Sequence, residues 1–304
     1  MTATSDTFPR EVPAAAAPMA RTRPFFWSVR RELWENRAIY LAAPIAAGVA
    51  ILGDLFGHMV THGAVILQPG GARPWEMPAA LPYGFAALVI TAASCIVGVF
   101  YCLGALNGER RDRSVLFWKS LPVSDLTTVL SKAVVPAVIM PTVTFATIFV
   151  TSLVMLALDF GFAAARGTSV PDVLGHLPLL QIWLDLAYAM VVLAAWWAPI
   201  WSWLLLVSAW AKRMTFLWAA GPPLAVCVFE QMSLRTDYAW RLLNARVVHG
   251  LELGFTTPPS DNGVALPWPD PLPLLASPGL WIGLVLAVAF LAGAVWLRRR
   301  QEPV

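Results

Sequence analysis

The sequence predicts an all-α, polytopic membrane protein: six transmembrane helices preceded by an amphipathic helix lying in the membrane interface. Three observations predict it. The 304 residues are 58% hydrophobic and only 13% charged, with a mean hydropathy of +0.66, whereas an ordinary soluble domain is about a quarter charged. Six apolar runs reach or approach the roughly 20 residues a helix needs to cross a hydrocarbon core. The cations are distributed unevenly between the segments that join those runs. A soluble fold cannot hide this much apolar surface. A membrane β-barrel would show alternating segments of about ten residues instead of continuous runs.

Residues 1–24 are rich in Ala, Pro and Thr, with scattered arginines and no apolar core. They read as a disordered tail without a cleavable signal. Then comes PFFWSVRRELWENRAIY, residues 24–40. At helical spacing Phe26, Val29, Leu33 and Tyr40 share a face, and Arg31, Glu32 and Glu35 lie away from it. Arg30 and Arg37 border the stripe, where they can snorkel to headgroups. This predicts the interfacial helix, with Phe26, Val29 and Leu33 on the apolar face it lays in the interface. A plain extension of the first crossing is the alternative.

The crossings are predicted at about 39–56, 81–106, 130–158, 179–209, 214–232 and 280–297, as helices, because lipid leaves a backbone amide no partner outside its own segment. The third carries Pro136 and Pro141, and the fifth Gly221-Pro222-Pro223, where kinks are expected. Residues 58–80 and 159–178 read as loops. Residues 233–279 form the longest hydrophilic segment: its first half is a candidate amphipathic helix, and its proline-rich second half is expected to be extended. Trp196 to Trp203 lie deep in the fourth crossing, as packing residues or as the wall of an apolar pathway.

With six crossings both termini share a side. On that side fall 16 of the 21 Lys and Arg, against 5 on the other, while the 18 acidic residues divide 8 and 10. The positive-inside rule makes the cation-rich side cytoplasmic. The net charge of +3 therefore reflects topology, and the concentrated basic domain that a nucleic-acid partner requires is absent.

Catalytic signatures are missing. There is no GxxxxGK[ST] phosphate loop and no GxSxG elbow. Cys95, Cys102 and Cys227 fall within predicted helices as small packing residues, without metal-type spacing. In HMVTH, His58 and His62 stand four apart, but Met59 occupies the place of the glutamate in HExxH; a loop position reads as ordinary polar surface. Asp54, Asp159, Asp185 and Glu230 sit near outer helix ends and Lys132 near an inner end. None is placed at the midplane, where an ion-coupled carrier wants its site.

The stretch between the second and third crossings is the most informative. GERRDRSVLFWKSLPVSD, residues 108–125, passes from a charge cluster to a bulky pair and a proline turn. Arg110, Arg111 and Arg113 suit acids on a partner or lipid phosphates. Leu116, Phe117, Trp118 and Lys119 form about two helical turns, and Ser124 or Asp125 is placed to cap the next helix. A stop-transfer cluster explains the arginines but not the exposed Phe117 and Trp118.

Together with LSK (130–132) and RRELWENRAIYLAAP before the first crossing, this stretch resembles permease subunits of bacterial ATP-binding-cassette transporters of the type-2 export class. The resemblance covers most of the chain, residues 25–304, and departs from the class in the long loop 233–279. It implies a transporter subunit of the bacterial inner membrane that is not itself an enzyme and holds no cofactor. Two permease protomers, identical or different, would form the pathway. A separate ATPase binding ATP and Mg2+ would dock on the cytoplasmic loop that carries Arg110, Arg111, Arg113, Leu116, Phe117, Trp118 and Lys119. Membrane lipids are the remaining partners. A non-transporting membrane anchor for a cytoplasmic complex shares the docking loop, and a secondary carrier is a further alternative.

Overall fold

The computed structural model describes residues 22–67, 81–108, 124–165, 179–256 and 268–300. The described residues are helical almost throughout. Its elements are α1 (Thr22–Glu35), α2 (Ala38–Leu67), α3 (Leu81–Ala105), α4 (Asp125–Val134), a π turn (Val135–Ile139), α5 (Met140–Ala165), α6 (Leu179–Trp196), α7 (Ala198–Trp210), α8 (Thr215–Phe229), a second π turn (Glu230–Leu234), α9 (Tyr238–Gly254), α10 (Pro271–Ala276) and α11 (Pro278–Arg300). One two-residue antiparallel pair, β1 (Phe255–Thr256) with β2 (Trp268–Pro269), closes the excursion after α9.

Among the described residues four stretches are long and apolar enough to cross a bilayer: Ala38–Val60, Leu81–Ala105, Asp125–Ala165 and Pro278–Arg300; α6 with α7, bent by 47°, makes a fifth if the pair is one span. Large apolar side chains such as Phe56, Phe85, Phe100 and Val285 line the outside. A surface of this kind is stable only in lipid. The chain is built as a multi-pass membrane protein.

Small residues set the packing. Ala43, Ala46, Ala47 and Ala50 give α2 a flat buried stripe at i, i+3, i+4 and i+7, against Ile90, Tyr83 and Ala86 of α3 and Ile148 and Met155 of α5. Close approach of this sort is how helices associate where lipid is as apolar as the interface. Gly98 of α3 serves the same end: a Cβ there would stand 3.1 Å from the Trp201 ring of α7 and 3.3 Å from Met140 Sδ. The central cluster gathers Tyr101, Cys102, Leu103, Val135, Met140, Trp201, Leu204 and Leu205. Leu106, Val129, Ala209, Ala294 and Val295 join α3, α4, α7 and α11 at one end.

The helix boundaries correct the sequence reading in several places. Helix α2 runs on to Leu67 and α5 to Ala165, so His58 and Asp159 are helical and not in loops. The fourth run is not one helix. It breaks at Trp197, where Pro199 in the first turn of α7 has no N–H to continue the ladder. Pro136 lies inside a π turn that absorbs the missing hydrogen bond without ending the rod. In the segment expected to be extended, Pro271 opens the helix α10, capped by Asp270 accepting from Leu272 N–H at 3.0 Å. Helix α8, with Pro222 and Pro223 inside it, is not among the spanning helices.

Candidate functional site

The bundle has a basic end and an acidic end, and each carries a polar cluster. The basic end gathers α1, the close of α3, the start of α4 and the close of α11, with Arg298, Arg299 and Arg300 in the last turn. From here the chain leaves after Gly108 and returns at Ser124. The candidate docking residues Arg110, Arg111, Arg113, Leu116, Phe117, Trp118 and Lys119 lie outside the described residues. Their two mounts do not.

The outgoing mount is a serine. Ser208 of α7 is buried, and its Oγ accepts from both Leu106 N–H and Asn107 N–H at 3.0 Å. Those amides stand just past Ala105, the last residue of α3. The returning mount begins with Ser124, whose Oγ accepts from Thr127 N–H at 3.1 Å and so caps α4 as its position predicts. Asp125 then takes Arg298 Nε–H of α11 at 3.0 Å.

Two turns further, Lys132 Nζ meets Glu32 Oε1 of α1 at 2.7 Å, with the two side chains 2% and 3% exposed. Tyr101 of α3 donates its hydroxyl to Glu32 Oε2 at 3.1 Å. A charged pair this dry persists only when its geometry and extra hydrogen bonds offset the desolvation. Here both carboxylate oxygens are engaged, and three helices meet at one carboxylate.

This fixes which side of α1 faces the rest of the protein. The helix exists, and Val29 and Leu33 are half-buried, with Leu33 against the central cluster. Phe26, however, is 60% exposed, and Trp27 and Trp34 are exposed with it. The buried face is centred nearer Glu32, about a quarter turn away at 100° per residue. The aromatic side chains point outward, where lipid solvates them, and Arg30 lies over both the Trp27 and Trp34 rings at 5.1 and 4.7 Å from their centres.

Midway along the bundle the π turn after α4 and the break between α6 and α7 face one another. Pro136, Met140, Pro141, Thr144, Trp197 and Trp201 line a cleft of about 40 Å3 between them, with Ser94 and Cys95 of α3. Thr144 donates to Ser94 Oγ at 2.8 Å on its wall. Helix α9 lies against α6 below this break. Gly250 meets the Trp196 ring and Gly254 meets Val192, while Arg246 stacks 4.5 Å from the centre of Trp196 and donates to Gly279 O at 2.9 Å. Desolvation there holds the Arg246 guanidinium below its usual pKa.

At the acidic end His58 Nε2 stands 2.9 Å from Asp159 Oδ1 and 3.7 Å from Asp54 Oδ2. Tyr83 donates its hydroxyl to Asp159 Oδ2 at 2.6 Å. Sequence inspection paired His58 with His62, whose side chain lies outside the described residues; the structure pairs it with two aspartates. Asp54 and His58 at i, i+4 were detectable once the helix was extended through them. Asp159, a hundred residues away, was not.

Comparison of the chain with protein-family models, with characterised proteins and with solved structures finds no match. What the chain does must be argued from its geometry.

Proposed function

We propose that this chain is the permease subunit of an ATP-binding-cassette exporter of the type-2 class. In this reading a second permease protomer completes the pathway, and a separate ATPase docks on the segment 108–124. The crossings are α2, α3, α4 with α5, α6 with α7, α8 with its π turn, and α11. Helix α8 and that turn, Thr215–Leu234, are together about 30 Å long at 1.5 Å per residue, enough for a short fifth crossing. Six crossings place both termini at the basic end, which the positive-inside rule assigns to the cytoplasm of a bacterial inner membrane. Helix α1 then lies at the inner interface.

The observation that carries the proposal is the fastening of the 108–124 segment. Its outgoing end is held by Ser208 of α7, its returning end by Arg298 of α11, and the helix it feeds by Glu32 of α1. A loop that merely joined two crossings needs none of these ties. A loop that receives force from a docked ATPase needs all of them, because displacement at the loop must reach several helices together. The basic and aromatic content of 110–119 supplies a surface for a partner. A passive anchor would share that surface, but not the need to distribute motion.

Copurification tests this. The full chain, tagged and extracted in mild detergent from its native cells, is expected to bring down a nucleotide-binding subunit. Reversing Arg110, Arg111 and Arg113 to Glu together with Phe117→Ala is expected to abolish both the association and substrate-stimulated ATP hydrolysis. Recovery of no nucleotide-binding subunit, or full coupling in the variant, refutes the reading.

A further inference from the structure

We propose that Asp54, His58 and Asp159 bind one divalent transition-metal ion, with Zn2+ the best fit. The inference rests on the acidic end alone and stands whether or not the chain is a permease.

Three helical side chains converge there: Asp54 and His58 from α2, Asp159 from α5. Their ligand atoms all lie within 4.8 Å of one another. Donors bonded to one ion at roughly 2.0–2.2 Å stand about 3.0–3.5 Å apart. The His58 Nε2 separations of 2.9 Å to Asp159 Oδ1 and 3.7 Å to Asp54 Oδ2 bracket that range. Little movement is needed to close a coordination shell.

A second observation points to a ligand. The Asp54 side chain is 9% exposed, and its Oδ2, shut off from solvent and facing His58, accepts no hydrogen bond. A buried carboxylate oxygen left this way is costly. The imidazole does not remove the cost by itself. One nitrogen faces both aspartates, at hydrogen-bond distance from Asp159 only, and a protonated ring brings one positive charge to two carboxylates. A dication balances both and gives Asp54 Oδ2 a partner.

The surroundings orient the ligands. The His58 ring stacks on Phe162 with centres 4.6 Å apart and planes 21° from parallel. The Tyr83 hydroxyl occupies Asp159 Oδ2 and leaves Oδ1 turned to His58. Outer hydrogen bonds of this kind fix ligand geometry at metal sites. One imidazole with two carboxylates suits Zn2+, or Mn2+ and Co2+, with water in the remaining positions. Ca2+ and Mg2+ prefer oxygen alone.

The test uses the full chain in detergent, stripped with chelator and titrated with Zn2+ alone, Mg2+ alone and Co2+ alone. Bound metal is read by mass spectrometry after dialysis, and Co2+ also by its ligand-field absorption. Expected are one Zn2+ per chain, a cobalt spectrum that shows nitrogen ligation, and no saturable Mg2+ binding in the same range. Asp54→Asn is expected to weaken Zn2+ binding about 100-fold or more, Tyr83→Phe about tenfold, and His62→Ala not at all. Absence of saturable Zn2+ binding, equal binding of Mg2+, or loss of binding in His62→Ala with retention in Asp54→Asn overturns the assignment. Should Asp54→Asn not fold, the wild-type stoichiometry and the zinc–magnesium contrast still decide the matter.

Discussion

Replacing Lys132 with Met leaves the Glu32 carboxylate in a site where its side chain is 3% exposed, with the Tyr101 hydroxyl on Oε2 and its cation gone. Removing one partner of a buried pair costs about 3–5 kcal/mol, because the remaining charge is buried without compensation. Glu32→Leu takes the carboxylate from the buried Lys132 ammonium and is expected to destabilise the fold as well. The double variant, Glu32→Leu with Lys132→Met, removes both charges and replaces them with apolar groups of comparable volume. It is expected to lie within about 1 kcal/mol of the parent, since such replacements are often neutral or better. The two single losses therefore fail to add by several kcal/mol, the signature of direct coupling. The assay is denaturant unfolding of the full chain in mixed micelles, followed by far-ultraviolet circular dichroism for all four proteins. If the double variant loses the sum of the single losses to within about 0.5 kcal/mol, the pair is not coupled and the account of α1 fails.

Ser208→Ala removes the acceptor shared by Leu106 N–H and Asn107 N–H and is expected to cost about 1–3 kcal/mol in the same assay, with faster hydrogen exchange at those two amides. At the α9 interface, a Cβ on Gly250 would stand 2.6 Å from the Trp196 ring, so Gly250→Ala is expected to destabilise by about 1–3 kcal/mol. Gly283→Ala meets the tip of the flexible Arg246 side chain, which can swing aside, so its cost is expected to be smaller; the reverse order in the unfolding midpoints contradicts this packing.

The helices that sequence reasoning located best are those whose boundaries coincide with a change from lipid to water. The run 81–106 ends where α3 ends, at Ala105, and Ser124 caps α4 as its side-chain chemistry dictates. The extra turns of α2 were hidden because Asp54 and His58 are polar and yet face protein. Apolarity indicates contact with lipid as readily as burial in protein, and only the fold shows which side of α1 the protein takes. Glu32, on the polar face of the predicted interfacial helix, is buried in protein, while Phe26 stays on an outward face. Nothing local in the sequence marks Glu32 for Lys132, since the two are a hundred residues apart. The docking residues 110–119 and the tail 1–24 rest on the sequence alone, apart from the first turn of α1.

The rod formed by α4, its π turn and α5 runs from Asp125 to Ala165. At 1.5 Å per residue it is about 60 Å long, twice the roughly 30 Å hydrocarbon thickness. Pro136 divides it unequally, with some 15 Å on the side of Ser124 and nearly 40 Å beyond Ile139. If the rod pivots at that turn, the short arm drives the long one, and a 1 Å sideways displacement beside Ser124 becomes more than 2 Å at Ala165. Such a pivot would make the rod an amplifying beam, with its fulcrum beside the small cleft that Pro136, Met140 and Trp197 line.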